Sequence, residues 1–335
     1  MKALKPEDFA VLIGIDWADT KHDICEMPIG GKSCQFSVIS SKPKSIHDWA
    51  RSLINRYPDK PVAVACELKK GPLIYALSQY RHITIFPINP STVAKYRKAF
   101  TNSGAKNDPS DAFIQTEILE YHMDKLQPIN PESPDVRALA QFVEYRRKLV
   151  QDRVDIANCI TTTLKNYYPQ VLDWFNEKDT LIFCNFITKW PSLIQVKKAR
   201  KATLMLFFNQ HNSRYPAVIE KRVADIKAAQ ALTDDLAVIE PNQMLVEVLI
   251  SQLVLLIEGI KKIDKQIKQR YHKLDDRVIF DSFPGAGPQL APRLLVAFGE
   301  NRNRYGEATD VQKYVGIAPV TEQSGKKSWT HWRYS

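Results

Sequence analysis

The sequence predicts an α/β fold followed by long helices, and three observations carry that expectation. Strand patterns open the chain, strand and helix patterns alternate to about residue 130, and two apolar repeats of helical period dominate the remaining residues. Residues 11–17 (VLIGIDW) are apolar on both faces, as a buried central strand is. HDICEM and CQFSVIS alternate well enough to be the next two strands of an antiparallel meander. KPKSIHDWARSLINRY sets Ile46, Trp49, Leu53 and Ile54 at helical spacing, and VAVAC is a short, fully apolar strand of the parallel type. A helix through PLIYALSQY, a strand at ITIFPI, a helix from Ser91 and another from Pro109 complete the order βββαβαβα.

That order is the RNase H-like one. From about Glu132 the character changes to one long helical pattern, with Leu139, Phe142, Leu149, Ile156 and Ile160 on a stripe that Pro169 ends. Arg146 and Arg153 fall on the same stripe, which suits a helix that packs with one part and meets phosphate with another. A second long pattern runs from Gln243 to about His272, with Leu245, Leu253, Leu256, Ile257 and Ile263 apolar. The two helices are expected to form an antiparallel pair or a dimer contact, with the Trp190 to Leu236 region as a helical insertion between them. In FPGAGPQLAPRLLVAFG, Gly285 and Gly287 predict a tight turn before a helix starting near Pro288. Such a turn can offer backbone N–H groups to a phosphate, as in helix-hairpin-helix DNA binders, or be merely structural. The expected organisation is an α/β domain over 1–130, a helical coiled-coil region over 131–275 and a mainly helical C-terminal domain over 276–335.

At 335 residues and 44% hydrophobic content, the chain is long enough for each region to bury its own core. Lys and Arg outnumber Asp and Glu by 47 to 37, and the excess is spread over all three regions. A diffuse positive field of this kind suits a long polyanion, although it also serves solubility. The five cysteines form no C-x-x-C pair, so neither a zinc site nor a disulfide framework is indicated, and a reducing cytoplasm is the expected home. No apolar segment of signal-peptide length precedes Asp16. The most apolar stretch, MLVEVLISQLVLLIEGI, is interrupted by Glu247, Gln252 and Glu258, so a soluble protein without membrane contact is expected.

Four carboxylates stand out by position. Asp16 lies at the end of the first apolar strand, and Glu67 ends the VAVAC strand in the same way. The strand order sets these two strands side by side, so both carboxylates could converge on one cation. Phosphoryl transfer at DNA uses this arrangement, because paired Mg²⁺ ions about 4 Å apart stabilise the attacking and the leaving oxygen. Asp108 and Asp111 sit in AKNDPSDAF, where helix capping alone would explain both: Asp108 as N-cap, Pro109 at N1 and Asp111 at N3. An i, i+3 pair also projects two carboxylates from one face of the first turn. The joint placement of the four, more than any one of them, favours a metal site.

With these residues in hand, the sequence resembles the DEDD transposases of the IS110 insertion-sequence family, relatives of the Piv and MooV DNA invertases. The resemblance rests on GIDWADTKHDI with Asp16, ACELKKGPLIYAL with Glu67, KNDPSDAFIQTEIL with Asp108 and Asp111, FPGAGPQLAPRLL, and YVGIAPVTEQSGKK with Ser324 and Gly325. It implies a RuvC-like catalytic domain holding Mg²⁺ or Mn²⁺, two ions in number, on the four carboxylates. It also implies a coiled-coil insertion and a C-terminal transposase domain whose Ser-Gly motif supplies a nucleophilic serine, Ser324. Lys326 and Lys327 would counter charge on the phosphorane. The partners implied are element-end and target DNA, a noncoding RNA transcribed from the same element as guide, and further copies of the chain in a dimer or tetramer. Chains of this type continue past HWRYS with more helices, so the resemblance implies a shortened C-terminal domain here, with His331, Trp332 and Arg333 either as DNA contacts or, as the favoured reading, at the start of the missing helix. A RuvC-type nuclease would use the same carboxylates with water and leave Ser324 idle. A non-catalytic remnant would bind nucleic acid through the basic helices alone.

Overall fold

A computed structural model describes residues 4–31, 33–100, 108–211 and 215–332, the side chains of Phe100, Asp108 and Pro109 excepted. The chain divides into two compact units, residues 1–131 and 132–335.

In the first unit, β1 (Val11–Trp17), β2 (Lys21–Pro28) and β3 (Gln35–Ser40) form the meander. They are followed by α1 (Pro43–Arg56), β4 (Val62–Cys66), α2 (Pro72–Leu77), β5 (Ile83–Pro87), α3 (Pro90–Phe100) and α4 (Asp108–His122). The sheet is mixed, in the order β3-β2-β1-β4-β5: β1 pairs antiparallel with β2 and parallel with β4, and β4 pairs parallel with β5. Both faces are covered, which is why β1 is apolar from Val11 to Ile15 and β4 throughout. One face buries Val11, Ile13, Ile15, Val62 and Val64 with Ile46, Trp49, Leu53, Leu73 and Leu77 of α1 and α2. Each such side chain contributes about 1.5–3 kcal/mol on leaving water. Leu12, Ala63, Ala65 and Phe86 turn the other way, into a core with Val93, Ile114, Ile118 and Leu119 of α3 and α4. Alternation along β1 puts Gly14 on this second face, and α4 crosses directly over it. A Cβ at Gly14 would stand 1.9 Å from the Ala112 carbonyl oxygen and 2.6 Å from Thr116 Oγ1. Thr116 Oγ1 in turn donates to the Cys25 carbonyl at 3.2 Å, fixing the helix across β1 and β2.

The second unit is mostly helical. Its two long helices are α5 (Pro134–Leu164) and α11 (Leu236–Tyr271). Between them run α6 (Val171–Trp174), α7 (Leu181–Lys189), α8 (Leu193–Lys198), α9 (Lys201–Gln210) and α10 (Pro216–Ala228). After them come α12 (Arg277–Asp281), α13 (Leu290–Phe298) and α14 (Ala308–Tyr314), then a hairpin of β6 (Val320–Ser324) and β7 (Lys327–His331). Arg146 pairs with Asp264 at 2.5 Å, Gly259 faces Leu149, and Asn166 donates to Asn242 at 3.1 Å. Numbers rise along one helix as they fall along the other, so α5 and α11 are antiparallel. The short helices are more than a spacer: Tyr168, Trp174, Phe175, Phe183, Phe186, Trp190, Phe207 and Phe208 form an aromatic core against both long helices. Edge-to-face pairs such as Phe175–Phe186, with centroids 5.0 Å apart, lock it.

Two expectations are corrected. The second long helix starts at Leu236, seven residues before Gln243: Asp235 caps it by accepting from Ala237 N at 2.9 Å, and the helix runs on through Pro241. The C-terminal region also carries an unforeseen β-hairpin, so His331 ends a strand rather than starting a helix, while Arg333 lies outside the described residues. By length and composition α11 could cross a membrane, with a window of mean hydropathy 1.8 that is only 22% buried in the chain. Met244, Val248 and Leu255 are exposed apolar residues on the outer stripe of this helix.

Candidate active site

The site is built at one end of the sheet. Leu12 pairs with Ala63, Gly14 with Ala65 and Ile15 with Cys66. Continued by one residue, this register sets Glu67 beside Asp16 on strands about 4.8 Å apart. Alternation puts both on the face that α4 covers, beyond Gly14 and Ala65. Ala112 lies against Gly14, so Asp111, one residue earlier, stands at the same end of the face. Asp111 is buried, and its Oδ1 accepts from Arg97 of α3. Sequence spacing missed a further carboxylate here: Asp23 of β2 lies directly opposite Asp16, is buried, and pairs with Lys21 at 3.2 Å. Only strand register could have found it.

Neighbouring groups limit the chemistry. Burial pushes the Cys25 thiol up to about 12 and, with help from Glu67, the Cys66 thiol up to about 11, so neither offers a thiolate. Cys66 donates to the Leu68 carbonyl instead, and all five cysteines are free. Burial holds the His22 imidazole below its usual value, against the pull of Asp23. The donors left are carboxylate oxygens, the chemistry that Mg²⁺ and Mn²⁺ take. Among the described residues no three His, Cys, Asp or Glu side chains converge on one point, and the side chain of Asp108, first residue of α4, lies outside them.

The Arg97–Asp111 pair yields a direct test. Replacing Arg97 by methionine strips the counter-charge from a buried carboxylate and is expected to cost about 3–5 kcal/mol in a urea melt. Mg²⁺ should restore part of the loss if Asp111 turns to a cation. An equal loss with and without Mg²⁺ would mark the pair as structural only.

The other candidate residues belong to the second unit. Ser324 closes β6 and is paired in register with Lys327, so Gly325 and Lys326 form a two-residue hairpin turn. Gly325 has φ 59°, the left-handed value such turns require. Ser324, Lys326 and Lys327 are all exposed at this tip. Gly285, with φ 78°, turns the chain between α12 and α13, and Gly287 N donates to its carbonyl at 2.9 Å. A Cβ at Gly287 would meet nothing within 4 Å, so packing within the chain does not demand glycine there. Arg146 is engaged by Asp264 and Arg153 by Asp179 at 3.3 Å, so both cross-link the helical unit. Their phosphate contacts would compete with these pairs.

Comparisons with known proteins point one way. A DEDD transposase model of the IS110 type matches residues 13–169, and the model described as "Transposase IS116/IS110/IS902 family" matches residues 278–335. The chain is similar to the mini-circle putative transposase for IS117 of Streptomyces coelicolor, at 27% identity over 98% of this chain and 81% of that protein. It is also similar to the putative transposase y4uE of Sinorhizobium fredii, at 22% identity over 60% of this chain and 56% of the relative. An uncharacterized 44.8 kDa protein of insertion element IS116 from Streptomyces clavuligerus is 24% identical over 81% of this chain and 67% of its own length.

Proposed function

Since the chain belongs to the IS110 family of transposases, enzymes that cleave and rejoin DNA, we propose that its first unit is an RNase H-like, RuvC-like catalytic domain and that Ser324 is the nucleophile. Asp16, Glu67, Asp108 and Asp111 would hold Mg²⁺ or Mn²⁺, two ions in number. The single observation that supports this reading is the β1–β4 register, which brings Asp16 and Glu67 together on the face carrying Asp111. Bound there, divalent ions would supply positive charge to the attacking and leaving oxygens.

In this reading the Ser324 oxygen bonds to phosphorus as the bond to the leaving strand oxygen breaks; the proton that the serine gives up to solvent is balanced by one that the leaving oxygen takes up to depart as a hydroxyl. The product is a phosphodiester between serine and the DNA end. Attack by a hydroxyl of the second strand then breaks the serine–phosphorus bond and returns the Ser324 hydroxyl. Lys326 and Lys327, at the same exposed turn, would offset the charge gathering on the phosphoryl oxygens. Element-end and target DNA are the substrates, a noncoding bridge RNA from the element is the guide, and a homo-oligomer acting in the cytoplasm is the working form.

The experiment is metal-dependent strand cleavage. Asp16→Asn should lower Mg²⁺-dependent cleavage of element-end DNA at least about 10²-fold while leaving nucleic-acid binding nearly intact, because phosphate attraction comes from Lys and Arg. Unchanged cleavage would remove Asp16 from the site.

A further inference from the structure

One buried group is left without work by the fold. Gln115 lies in α4 one turn after Asp111, at the centre of the helix face pressed on the sheet, with Asp111, Ala112, Ile114, Thr116, Ile118 and Leu119 buried around it. It is wholly inaccessible to water, yet among the described residues neither its amide oxygen nor its amide nitrogen has a hydrogen-bond partner. Burying an unpaired amide costs about 2–7 kcal/mol, so an apolar residue would serve packing better. Helical Cα–Cβ bonds tilt toward the N-terminus, and positions i and i+4 are neighbours, so Gln115 is aimed at the turn that carries Asp111.

We propose that Gln115 is a positioning residue for the carboxylate site: its amide donates to Asp111 once a divalent cation draws that carboxylate from Arg97. In the structure Arg97 engages Asp111, and the Gln115 amide has no partner among the described residues. Cation binding competes with Arg97, and a carboxylate given up by its guanidinium needs a new donor to hold its orientation. Such supporting donors typically change metal affinity about 10–100-fold. The inference rests on the metal reading above, and the test keeps the two apart.

The full chain and its Gln115→Leu, Gln115→Met and Asp16→Asn variants are compared by thermal melting without metal and by calorimetric titration with Mn²⁺ alone. Both Gln115 variants should melt higher without metal, by about 2–6 °C for removal of an unsatisfied buried group. Both should also bind Mn²⁺ about tenfold more weakly. A residue serving only the fold would move both readings otherwise. Lower melting without metal, or Mn²⁺ affinity equal to that of the parent, overturns the proposal for Gln115. If Asp16→Asn binds Mn²⁺ as well as the parent does, the metal reading itself fails.

Discussion

Replacing Ser324 by alanine is expected to abolish strand transfer and to leave nucleic-acid binding nearly unchanged. The reason is chemical: in the proposed reaction the lost hydroxyl would form a bond, whereas it adds little to phosphate attraction, for which the chain carries 47 Lys and Arg residues. A loss beyond about 10⁴-fold is expected, since alanine offers no oxygen at that position. Asp108→Asn should also stop the chemistry, but excess Mg²⁺ should rescue it in part, because a weakened ion site still fills at high concentration. No metal concentration restores a missing nucleophile. Mixing the two inactive variants asks a further question: recovered activity would mean that serine and carboxylates are supplied by different copies of the chain.

The second large effect is structural. Gly14→Val should destabilise the first unit by about 3 kcal/mol or more in a urea melt and eliminate Mg²⁺-dependent cleavage. A Cβ at Gly14 meets a backbone carbonyl at 1.9 Å, which no side-chain rotation can relieve, so α4 must lift from the sheet. Asp111 rides on that helix beside Ala112, so lifting it takes one carboxylate away from Asp16 and Glu67. Gly14→Ala should fail in the same direction with a smaller loss. A variant that folds with parental stability would show that α4 does not cross β1 so closely.

How legible the fold and site are in the sequence depends on burial. β1 and β4 are apolar on both faces because helices cover both, and that pattern needs no partner to be read. The hairpin of β6 and β7 is exposed along nearly all its length, so no alternation marks it, although the Ser-Gly-Lys turn is in plain view. Pro241 disguises the start of α11, yet Asp235 before an apolar run is a capping signal that could have found it. Site residues divide the same way. Asp16 and Glu67 end buried strands, and strand order alone sets them side by side. Asp23 needs the β1–β2 register, since nothing in HDICEM tells which face its acid takes. Arg97 is fourteen positions from Asp111, a spacing no helix rule reports. Gln115 reads as an ordinary polar helix residue, and only the packing of α4 on Gly14 explains why its amide is sealed from water.

The most direct measurement is a search for protein covalently joined to DNA. The full chain is incubated with element-end DNA, the adjacent transcript and Mg²⁺, quenched in denaturant, and the protein–DNA band is digested and sequenced by mass spectrometry. The account predicts a phosphodiester on Ser324 that requires Mg²⁺ and is absent from both Ser324→Ala and Asp16→Asn. Hydrolysed DNA ends with no adduct, formed equally well by Ser324→Ala, would contradict it and assign the carboxylates to a nuclease that uses water.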